Sequence, residues 1–445
     1  MNPQIKYFQR KFEREMEDLA GLSFRSARYL IAVSGGNDSM ALATLADASK
    51  LNYSIAHCNF GLRPESLNEQ HSVTDYFNKM EVPVYSHSFD TKEYAANHQL
   101  SIQQAARHLR YSYFDELRRE HGFDFLLTAH HADDNIETFF LHLGRGSGPK
   151  GLSGIPENKN QILRPLLSWT KDELVIWNKM HQIPICEDFS NASIKYDRNF
   201  LRHQVIGTIN QRFPYFNKNV LKSMSILKQY DAYVSAKINA LRQNAETRKP
   251  HGSIYDLNLI DEPELVPFFI RQVLEEHQFS HESITDLIRA IIVHKSGLKI
   301  ISPRGLMAVS DRNKFVILQK DLKIPPLQIT LTPRTYETDS GELLITKANS
   351  LKAQNKNILL LPSEKWNQTL IVRSWRSGDS IQLSSDGGSQ KIQDVYTNQK
   401  LNYIEKITQP IVEMEGKIIW LPGIKNAHFE KLTSAECIQI EFISK

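Results

Sequence analysis

A six-residue turn after an apolar run has the composition of an anion-binding loop. Residues 29–33 are apolar with β-branched side chains, which predicts a buried strand. The turn that follows consists of Ser34, Gly35, Gly36, Asn37, Asp38 and Ser39. Residues 39–46 are good helix formers, so we expect a helix whose first backbone N–H groups face the turn. The adjacent glycines would let a phosphate approach the main chain without meeting a Cβ atom.

A second group of ionisable residues follows the apolar run 123–129. It contains His130, His131, Asp133, Asp134 and Glu137. If a helix begins near Asp133, Glu137 lies one turn from both aspartates and on their face of the helix. Acidic residues in a first turn can simply stabilise a helix, but three carboxylates beside two histidines exceed that need. We expect the acids to hold a cationic substrate such as an amine. Adjacent histidines lack the i, i+4 spacing of a helical zinc site.

Two pairs of arginines have helical spacing. Arg107 and Arg110 are three positions apart in a helix expected at residues 101–120. Arg198 and Arg202 are four positions apart, and both could face phosphates. An arginine pair on a helix is more often a solvated surface, so the spacing alone leaves both interpretations open.

Apolar runs alternate with helical stretches through the first half of the chain. Strands are predicted at residues 29–33, 53–58, 82–87 and 123–129. The helix at 101–120 should bury Ile102, Ala105, Ala106, Leu109, Tyr113, Phe114 and Leu117. This alternation predicts an α/β fold, a parallel doubly wound sheet with helices on both faces. Ligands bind beyond the carboxyl ends of such strands, where Ser34, Asn59 and His130 would meet.

The pattern changes near residue 214. We predict a catalytic domain at 1–214, a helical middle domain at 215–320 and a small α+β domain at 321–445. The middle domain should contain helices at about 220–241, 265–277 and 282–294, then a hairpin at 300–309 and 314–318. The last domain should contain short strands at 327–331, 343–346, 370–372, 418–421 and 438–442. A glycine-rich loop at 145–155 is expected to be flexible and could close over a nucleotide or an RNA.

Composition excludes several classes of protein. With 445 residues and 41% hydrophobic content, the chain should form two or three domains. No apolar run approaches the ~20 residues of a membrane span, and the first residues resemble no secretory signal, so a cytoplasmic protein is predicted. The three cysteines are far apart, which excludes a C-x-x-C pair. A net charge of +4 permits a nucleic-acid partner without requiring one.

The turn at 34–39 resembles the SGGxDS loop of N-type ATP pyrophosphatases, the PP-loop family, and lacks the Gly-Lys-Ser/Thr ending of a Walker loop. Further segments resemble the tRNA(Ile)-lysidine synthases of that family: ARHLRY at 106–111, HHADDNIET at 130–138, RPLL at 164–167, EDFSN at 187–191 and RNFLR at 198–202. The resemblance is strong over 28–202 and weaker beyond. Residues 373–379 and 388–394 are similar to the family's tRNA-contacting C-terminal domain. The sequence departs from the family at Phe60, where many members have histidine, and at Phe189, where many have proline.

The resemblance implies a reaction. ATP, with Mg²⁺, would adenylate the C2 oxygen of the first anticodon cytidine of an isoleucine tRNA with a CAU anticodon, and the ε-amine of free lysine would displace AMP. The loop at 34–39 would cradle pyrophosphate, and Asp38 would bind Mg²⁺. Asp134 and Glu137 would orient lysine, and either could take its proton; Asp133 is a weaker candidate for metal or lysine contact. The other implied residues are Arg110 and Arg202 in catalysis and Arg107 and Arg198 in substrate contact. A homodimer is compatible with the sequence.

Two alternatives stay open at this point. One is another PP-loop enzyme, such as a tRNA thiolase or an amidotransferase synthetase, but neither a cysteine pair nor a glutaminase nucleophile is visible. The other is a tRNA-binding protein with a vestigial nucleotide loop. Such a protein has no need for Asp38, Asp134, Glu137 and Arg202 together.

Overall fold

The structure is a computed structural model that describes residues 2–186, 197–322, 324–338, 341–348, 355–383, 388–427 and 436–444. The motif at 187–191, with Phe189, lies outside these ranges. The chain divides into two compact units, Met1–Tyr233 and Val234–Lys445. The domain limits near residues 214 and 320 stay predictions.

Helices and strands alternate in the first unit. Its helices are α1 (Pro3–Ala20), α2 (Asn37–Ala48), α3 (Ser66–Lys79), α4 (Thr91–His98), α5 (Ile102–His121), α6 (Ala132–Gly144), α7 (Pro149–Leu152), α8 (Lys171–Met180), α9 (Asp197–Phe200) and α10 (Gly207–Arg212). Its strands are β1 (Arg28–Ala32), β2 (Asn52–Asn59), β3 (Val84–Ser88), β4 (Phe125–Leu127), β5 (Asn158–Lys159) and β6 (Ile162–Leu163). A π-helical turn, Leu201–Ile206, joins α9 to α10. The division between the units falls within α11 (Phe216–Ala245).

The strands of the first unit form one six-stranded sheet in the order β3-β2-β1-β4-β6-β5. All neighbouring strands are parallel except the β5–β6 pair. This confirms the predicted parallel sheet, with strand ends within about two residues of those expected. Because β1 lies between β2 and β4, the segments that follow these three strands meet at one edge of the sheet.

Helix α2 is enclosed on all sides by the sheet, α1 and α8, since every residue from Ser39 to Ala46 is buried. Helix α5 buries Ala105, Phe114 and Leu117, as predicted. The prediction for Ile102 is wrong, because this side chain is 40% exposed. Ile102 is the first residue of the helix, and the buried face begins only at Ala105.

The second unit contains α12 (Val266–Glu276), α13 (His281–Ile292), α14 (Ile392–Asn398) and α15 (Tyr403–Thr408). Its strands are β7 (Glu246–Lys249), β8 (Gly252–Asp256), β9 (Lys299–Ile301), β10 (Leu306–Asp311), β11 (Lys314–Gln319), β12 (Leu327–Thr330), β13 (Arg334–Thr338), β14 (Gly341–Ala348), β15 (Ile358–Pro362), β16 (Thr369–Arg373), β17 (Ser380–Gln382), β18 (Ser389–Lys391), β19 (Ile411–Met414), β20 (Lys417–Leu421), β21 (Lys425–Asn426) and β22 (Cys437–Ser444).

These strands form three sheets within the described ranges. One has the order β7-β8-β11-β10-β9, a second runs β12-β16-β19-β20-β17-β18 with β21 on β20, and the third is β13-β14-β22-β15. The middle region therefore adds a five-stranded sheet to its predicted helices. The sequence indicated only a hairpin there, because β7 is polar and mostly exposed. The single arm predicted at 300–309 is wrong, since a turn in which the Gly305 N–H donates to Ser302 O divides it into β9 and β10. In the part of the chain that the structure describes, every helix is too short or too polar to cross a bilayer.

Candidate active site

The turn between β1 and α2 has the geometry of an anion-binding loop. Gly36 is the N-cap of α2 and makes no side-chain capping bond, so the first N–H groups of the helix can receive an anion. Gly35 has φ +90°, and a Cβ atom there would lie 3.1 Å from Val73 Cγ2. The hydroxyl of Ser39 accepts the backbone N–H of Ser34 at 3.1 Å and lies 3.1 Å from the Ser34 hydroxyl. The bonds between the two serines thus hold the ends of the turn together.

Asn37 is fixed by a residue that lies far away in the sequence. Asn178 on α8, 141 positions later, donates its Nδ2 to Asn37 O at 2.7 Å and to Asn37 Oδ1 at 2.9 Å. Asn37 in turn donates its Nδ2 to Asp38 Oδ1 at 2.9 Å. This chain of bonds orients the Asp38 carboxylate at the start of α2.

His131 lies among three carboxylates. Its Nε2 is 3.5 Å from Asp38 Oδ2 and 3.6 Å from Asp134 Oδ2, and its Nδ1 is 3.5 Å from Asp133 Oδ2. Burial alone would lower the pKa of His131, but hydrogen bonds with Asp133 and Asp38, together with the charge of Asp134, raise it to about 10. These carboxylates favour the protonated form of the imidazole, and His131 links the turn after β1 to the helix after β4.

Asp38 and Asp133 are held as carboxylates. Burial raises the pKa of Asp38, but hydrogen bonds from His131 and Asn37 outweigh it and leave the pKa below its ordinary value. Asp133 has a lowered pKa for the same reason, with the backbone N–H of Lys171 as its second donor. That N–H lies 3.1 Å from Asp133 Oδ2, and Asn217 Nδ2 lies 3.3 Å from Oδ1. Both oxygens of Asp133 thus have structural partners.

Glu137 is the most buried carboxylate of the group, with 1% of the residue exposed. Arg202 donates its Nε to Glu137 Oε1 at 2.5 Å, and its Nη2 lies 3.4 Å from Asp134 Oδ1. Glu137 Oε2 is buried without a hydrogen-bond partner among the described residues. Burial raises the pKa of Glu137 by more than the bond from Arg202 lowers it. A buried acceptor left open in this way suits a cationic or proton-donating ligand.

The group as a whole is acidic. Its four carboxylates belong to Asp38, Asp133, Asp134 and Glu137, and its two cations are His131 and Arg202. With all six groups charged, the net charge is −2. Contacts connect the phosphate loop to this group through a continuous series of side chains: Asn37, Asp38, His131, Asp134, Arg202 and Glu137. The predicted meeting of loop and acidic pocket at one sheet edge is therefore present in the structure.

The predicted pair Arg107 and Arg110 projects from α5 towards aromatic rings. Arg107 Cζ lies 5.0 Å from the centroid of the Tyr111 ring, and Arg110 Cζ lies 5.1 Å from that of Phe60. Neither contact was visible in the sequence, which indicated only that the arginines are neighbours.

His130 is neutral, in contrast to the adjacent His131. Its Nδ1 lies 3.0 Å from the hydroxyl of Thr128. Burial lowers the pKa of His130, the charge of Asp134 raises it, and the positive charges of Arg164, Arg198 and Arg107 lower it, which leaves the pKa at about 4. Arg198 is exposed, and its charge acts on His130. Arg202, by contrast, pairs with the carboxylates of Asp134 and Glu137.

The glycine-rich segment after α6 contains regular structure and hydrogen bonds to α6. It contains the helical turn α7, and His142 Nδ1 lies 2.6 Å from Gly151 O. Asn135 Oδ1 accepts the Ile155 N–H at 2.7 Å, and a Cβ atom at Gly154, which has φ +86°, would collide with that oxygen. Side chains of α6 thus bond to the segment at Gly151 and at Ile155. The expected flexibility of the segment stays a prediction.

Comparisons with known proteins agree with this geometry. A family model described as a PP-loop domain matches residues 5–209, and one described as a TilS substrate C-terminal domain matches residues 370–442. The tRNA(Ile)-lysidine synthase of Porphyromonas gingivalis is 31% identical over 408 residues, which cover 88% of this chain and 89% of that protein. The chain belongs to the tRNA(Ile)-lysidine synthase family. The enzyme of the same name from Parabacteroides distasonis is 29% identical over 400 residues, covering 88% and 90%.

Solved structures give partial matches to this family member. The U34-tRNA thiolase NcsA from Methanococcus maripaludis is 14% identical with a TM-score of 0.42, covering 50% of this chain and 80% of its own. A TILS C-terminal domain is 21% identical with a TM-score of 0.25, covering 27% and 98%. Membership of the lysidine synthase family confirms the predicted recognition and an ATP-using enzyme of the ligase class.

The roles of three residues were not predicted from the sequence. The sequence analysis considered His131 only as a metal ligand, although the three acids that flank it or lie nearby favour a buried positive charge on this residue. Asn178 offers no local signal, because only folding brings α8 to the turn. Phe60 was noted as a departure from the family, without a role.

Within the described ranges, no group of three or more His, Cys, Asp or Glu side chains is arranged to hold a metal ion.

Proposed function

We propose that the protein uses ATP to attach free lysine to C2 of the first anticodon cytidine of an isoleucine tRNA with a CAU anticodon. In the first step the C2 oxygen attacks the α-phosphorus of ATP, and the bond from that phosphorus to pyrophosphate breaks. In the second step the ε-nitrogen of lysine bonds to C2, the C2–O bond breaks, and AMP leaves. The amine proton passes to a base of the site.

The turn at 34–39 supports the first step. The N-terminus of α2 offers uncapped N–H groups, and the hydroxyls of Ser34 and Ser39 border the same turn. Fixed donors of this kind stabilise the charge that develops on a departing pyrophosphate without reorganisation. Gly35 and Gly36 leave the main chain accessible to it.

Asp38 is suited to hold a Mg²⁺ ion at this turn. Its side chain is 33% exposed, and its low pKa keeps the carboxylate ionised. Mg²⁺ is usually held by one or two carboxylates plus substrate phosphates, which matches a turn that carries one carboxylate, that of Asp38. When bound, the ion would neutralise charge on the pyrophosphate oxygens. Asn37 and His131 would keep the Asp38 carboxylate in position.

The acidic group supports the second step, and the unpartnered Glu137 Oε2 is the observation that carries this assignment. The ammonium of free lysine has a pKa near ~10.4, so it must lose a proton before it attacks. Glu137 is the stronger base candidate because burial raises its pKa. Asp134 is engaged by Arg202 and by the backbone N–H of His131 at 3.0 Å, so it would orient the amine. Asp133 would act by fixing His131.

The tRNA would be held through its phosphates and through an unstacked anticodon base. In the first unit the candidates for phosphate contact are Arg107, Arg110 and Arg198. In the second unit, a cavity of about 540 Å³ is lined by residues that include Trp375 and Arg376 within the matched C-terminal domain. An aromatic ring beside arginines is a common arrangement for holding nucleic acid. The homodimer and the cytoplasmic location stay predictions.

The test is incorporation of labelled lysine into RNA. The protein is incubated with ATP, Mg²⁺, radiolabelled lysine and an unmodified isoleucine tRNA with a CAU anticodon. We expect label in the tRNA only when ATP is present, together with AMP and pyrophosphate in equal amounts. A tRNA whose first anticodon cytidine is replaced by uridine is the matched control. Label that enters the control equally, or that needs no ATP, would contradict the proposal.

A further inference from the structure

Phe60 carries the guanidinium of Arg110 on one face of its ring, with the Arg110 Cζ atom 5.1 Å from the ring centroid. Among the described residues, no hydrogen bond or ion pair orients the Arg110 guanidinium. The ring is therefore the contact that limits where this long, exposed side chain can lie. A guanidinium against an aromatic face gains a cation–π attraction and keeps its N–H donors free.

The ring of Phe60 is itself held firmly. It stacks on Phe89 with centroids 5.9 Å apart and planes 18° apart. The hydroxyl of Thr91 donates to Phe60 O at 2.8 Å, and the Phe89 N–H donates to Asn59 O at 2.8 Å. Main chain and side chain on this segment are thus fixed to the segment that follows β3.

The support extends back to α5, the helix of Arg110. Phe89 packs edge-on against Tyr113 with centroids 5.9 Å apart, and His87 lies 4.5 Å from Phe89 and 5.3 Å from Tyr113. Tyr113 lies three residues after Arg110, so one cluster of rings fixes both the helix and the ring that its arginine covers.

This cluster lies where substrates are expected. Phe60 directly follows β2, and the phosphate loop directly follows β1, which pairs in parallel with β2 from Arg28↔Asn52 to Ala32↔Ala56. The two segments therefore leave the same edge of the sheet. The free donors of Arg110 are placed at the edge where ATP and the anticodon must meet.

We propose that Phe60 is a positioning residue that holds the Arg110 guanidinium ready for a substrate phosphate. The inference rests on the proposed function, in which Arg110 contacts phosphate of ATP or of the tRNA. Holding the arginine in place before binding reduces the side-chain entropy lost when the phosphate arrives. Many family members have histidine at this position. A phenyl ring keeps the contact at every pH, whereas an imidazole would repel the arginine once protonated.

The first experiment measures binding without chemistry, so that it does not depend on lysine transfer. Dissociation constants for ATP with Mg²⁺ and, separately, for the unmodified tRNA are measured for Phe60→Leu and Phe60→Tyr. We expect the leucine variant to weaken binding of one of the two ligands about 3- to 10-fold and the tyrosine variant to stay within about twofold of the parent. The affected ligand identifies which phosphate Arg110 contacts. Unchanged affinity for both ligands in Phe60→Leu would overturn the inference.

The second experiment is a double-mutant cycle, which separates positioning from general packing. Phe60→Leu is combined with Arg110→Gln, and we expect no further loss of affinity beyond that of Arg110→Gln alone. Arg110→Lys keeps the charge without the planar group and should weaken binding as Phe60→Leu does. Phe140→Leu, which removes a ring 6.0 Å from Phe216 without an arginine, is the control for lost packing. An equal effect of Phe60→Leu in both backgrounds would overturn the inference, even if lysine incorporation by the parent protein succeeds.

Discussion

His131 Nε2 lies 3.5 Å from Asp38 Oδ2, and this contact joins the phosphate loop to the acidic group. The two residues come from segments that follow β1 and β4, which are neighbours in the sheet. Because the imidazole is 3% exposed and charged, it fixes the carboxylate at the loop while compensating part of the acidic group.

Replacing His131 by glutamine should impair adenylation. His131→Gln keeps a hydrogen-bonding side chain but removes the buried positive charge between three carboxylates. We expect tRNA-dependent release of pyrophosphate to fall about 10- to 100-fold. The matched control is His130→Gln, since His130 is already neutral and loses no charge. Equal losses in the two variants would show that the charge of His131 is not what matters.

Removing the Asp38 carboxylate should stop the first step altogether. Asp38→Ala takes away the accessible acid at the N-terminus of α2, and we expect pyrophosphate release to fall by about 100-fold or more. Asp18→Ala, which removes an exposed acid from α1, is the control for the loss of one negative charge. Retention of adenylation by Asp38→Ala would disprove its assignment to the loop.

The backbone of the loop can be tested at Gly35. Gly35→Ala places a Cβ atom 3.1 Å from Val73 Cγ2 on a residue with φ +90°. This conformation costs about 1–3 kcal/mol for a residue other than glycine, so we expect the turn to shift and the dissociation constant for ATP to rise about 10-fold. Gly21→Ala is the control for backbone strain: Gly21 has φ +76° with open space around it and lies outside the loop. Isothermal titration with a non-hydrolysable ATP analogue separates the two variants.

The pH dependence of stability should reveal a buried ion pair in the second unit. Arg373 Nη1 lies 2.7 Å from Asp379 Oδ2, with side chains 8% and 13% exposed. Burial raises the pKa of Asp379, but bonds from Arg373 and the Arg376 N–H outweigh it, so its folded pKa lies below the unfolded value. The stabilisation is therefore complete above the unfolded pKa of ~3.9 and is lost as pH falls through the folded one.

We expect Asp379→Asn to lower the free energy of unfolding by about 2 kcal/mol at pH 7, with the difference shrinking below about pH 4. Chemical denaturation of both proteins across this range measures it. Asp286 pairs with Arg289 at 3.7 Å on the surface, with side chains 62% and 76% exposed. Asp286→Asn should therefore change stability by less than about 1 kcal/mol. A difference for Asp379→Asn that does not change with pH would contradict the assignment of the stabilisation to its charge.

Local patterns were sufficient to predict the frame of the site. The apolar run before Ser34 and the glycines after it determine a strand, a turn and a helix N-terminus. The spacing of Asp134 and Glu137 determines that they share one face of α6. These features depend on residues that are close together in the sequence, so the sequence alone is enough to predict them.

Contacts between distant segments could not be predicted in the same way. Nothing near Asn37 indicates Asn178, and nothing near Arg110 indicates Phe60. The high pKa of His131 depends in part on Asp38, which lies in the first turn of α2 and far from His131 in the sequence. The burial of Glu137 is likewise a property of the fold rather than of its own helix. The sequence therefore indicated which residue types meet, while the structure shows their charge states and partners.

The central claim is that the loop and the acidic group serve two separable steps, and Glu137→Gln tests it most directly. The variant removes the buried base and keeps the shape of the side chain. Pyrophosphate release and labelled lysine incorporation are measured in the same reaction with ATP and the unmodified tRNA. We expect release within about threefold of the parent protein and incorporation reduced about 100-fold or more. Equal reduction of both quantities, or normal incorporation, would contradict the account.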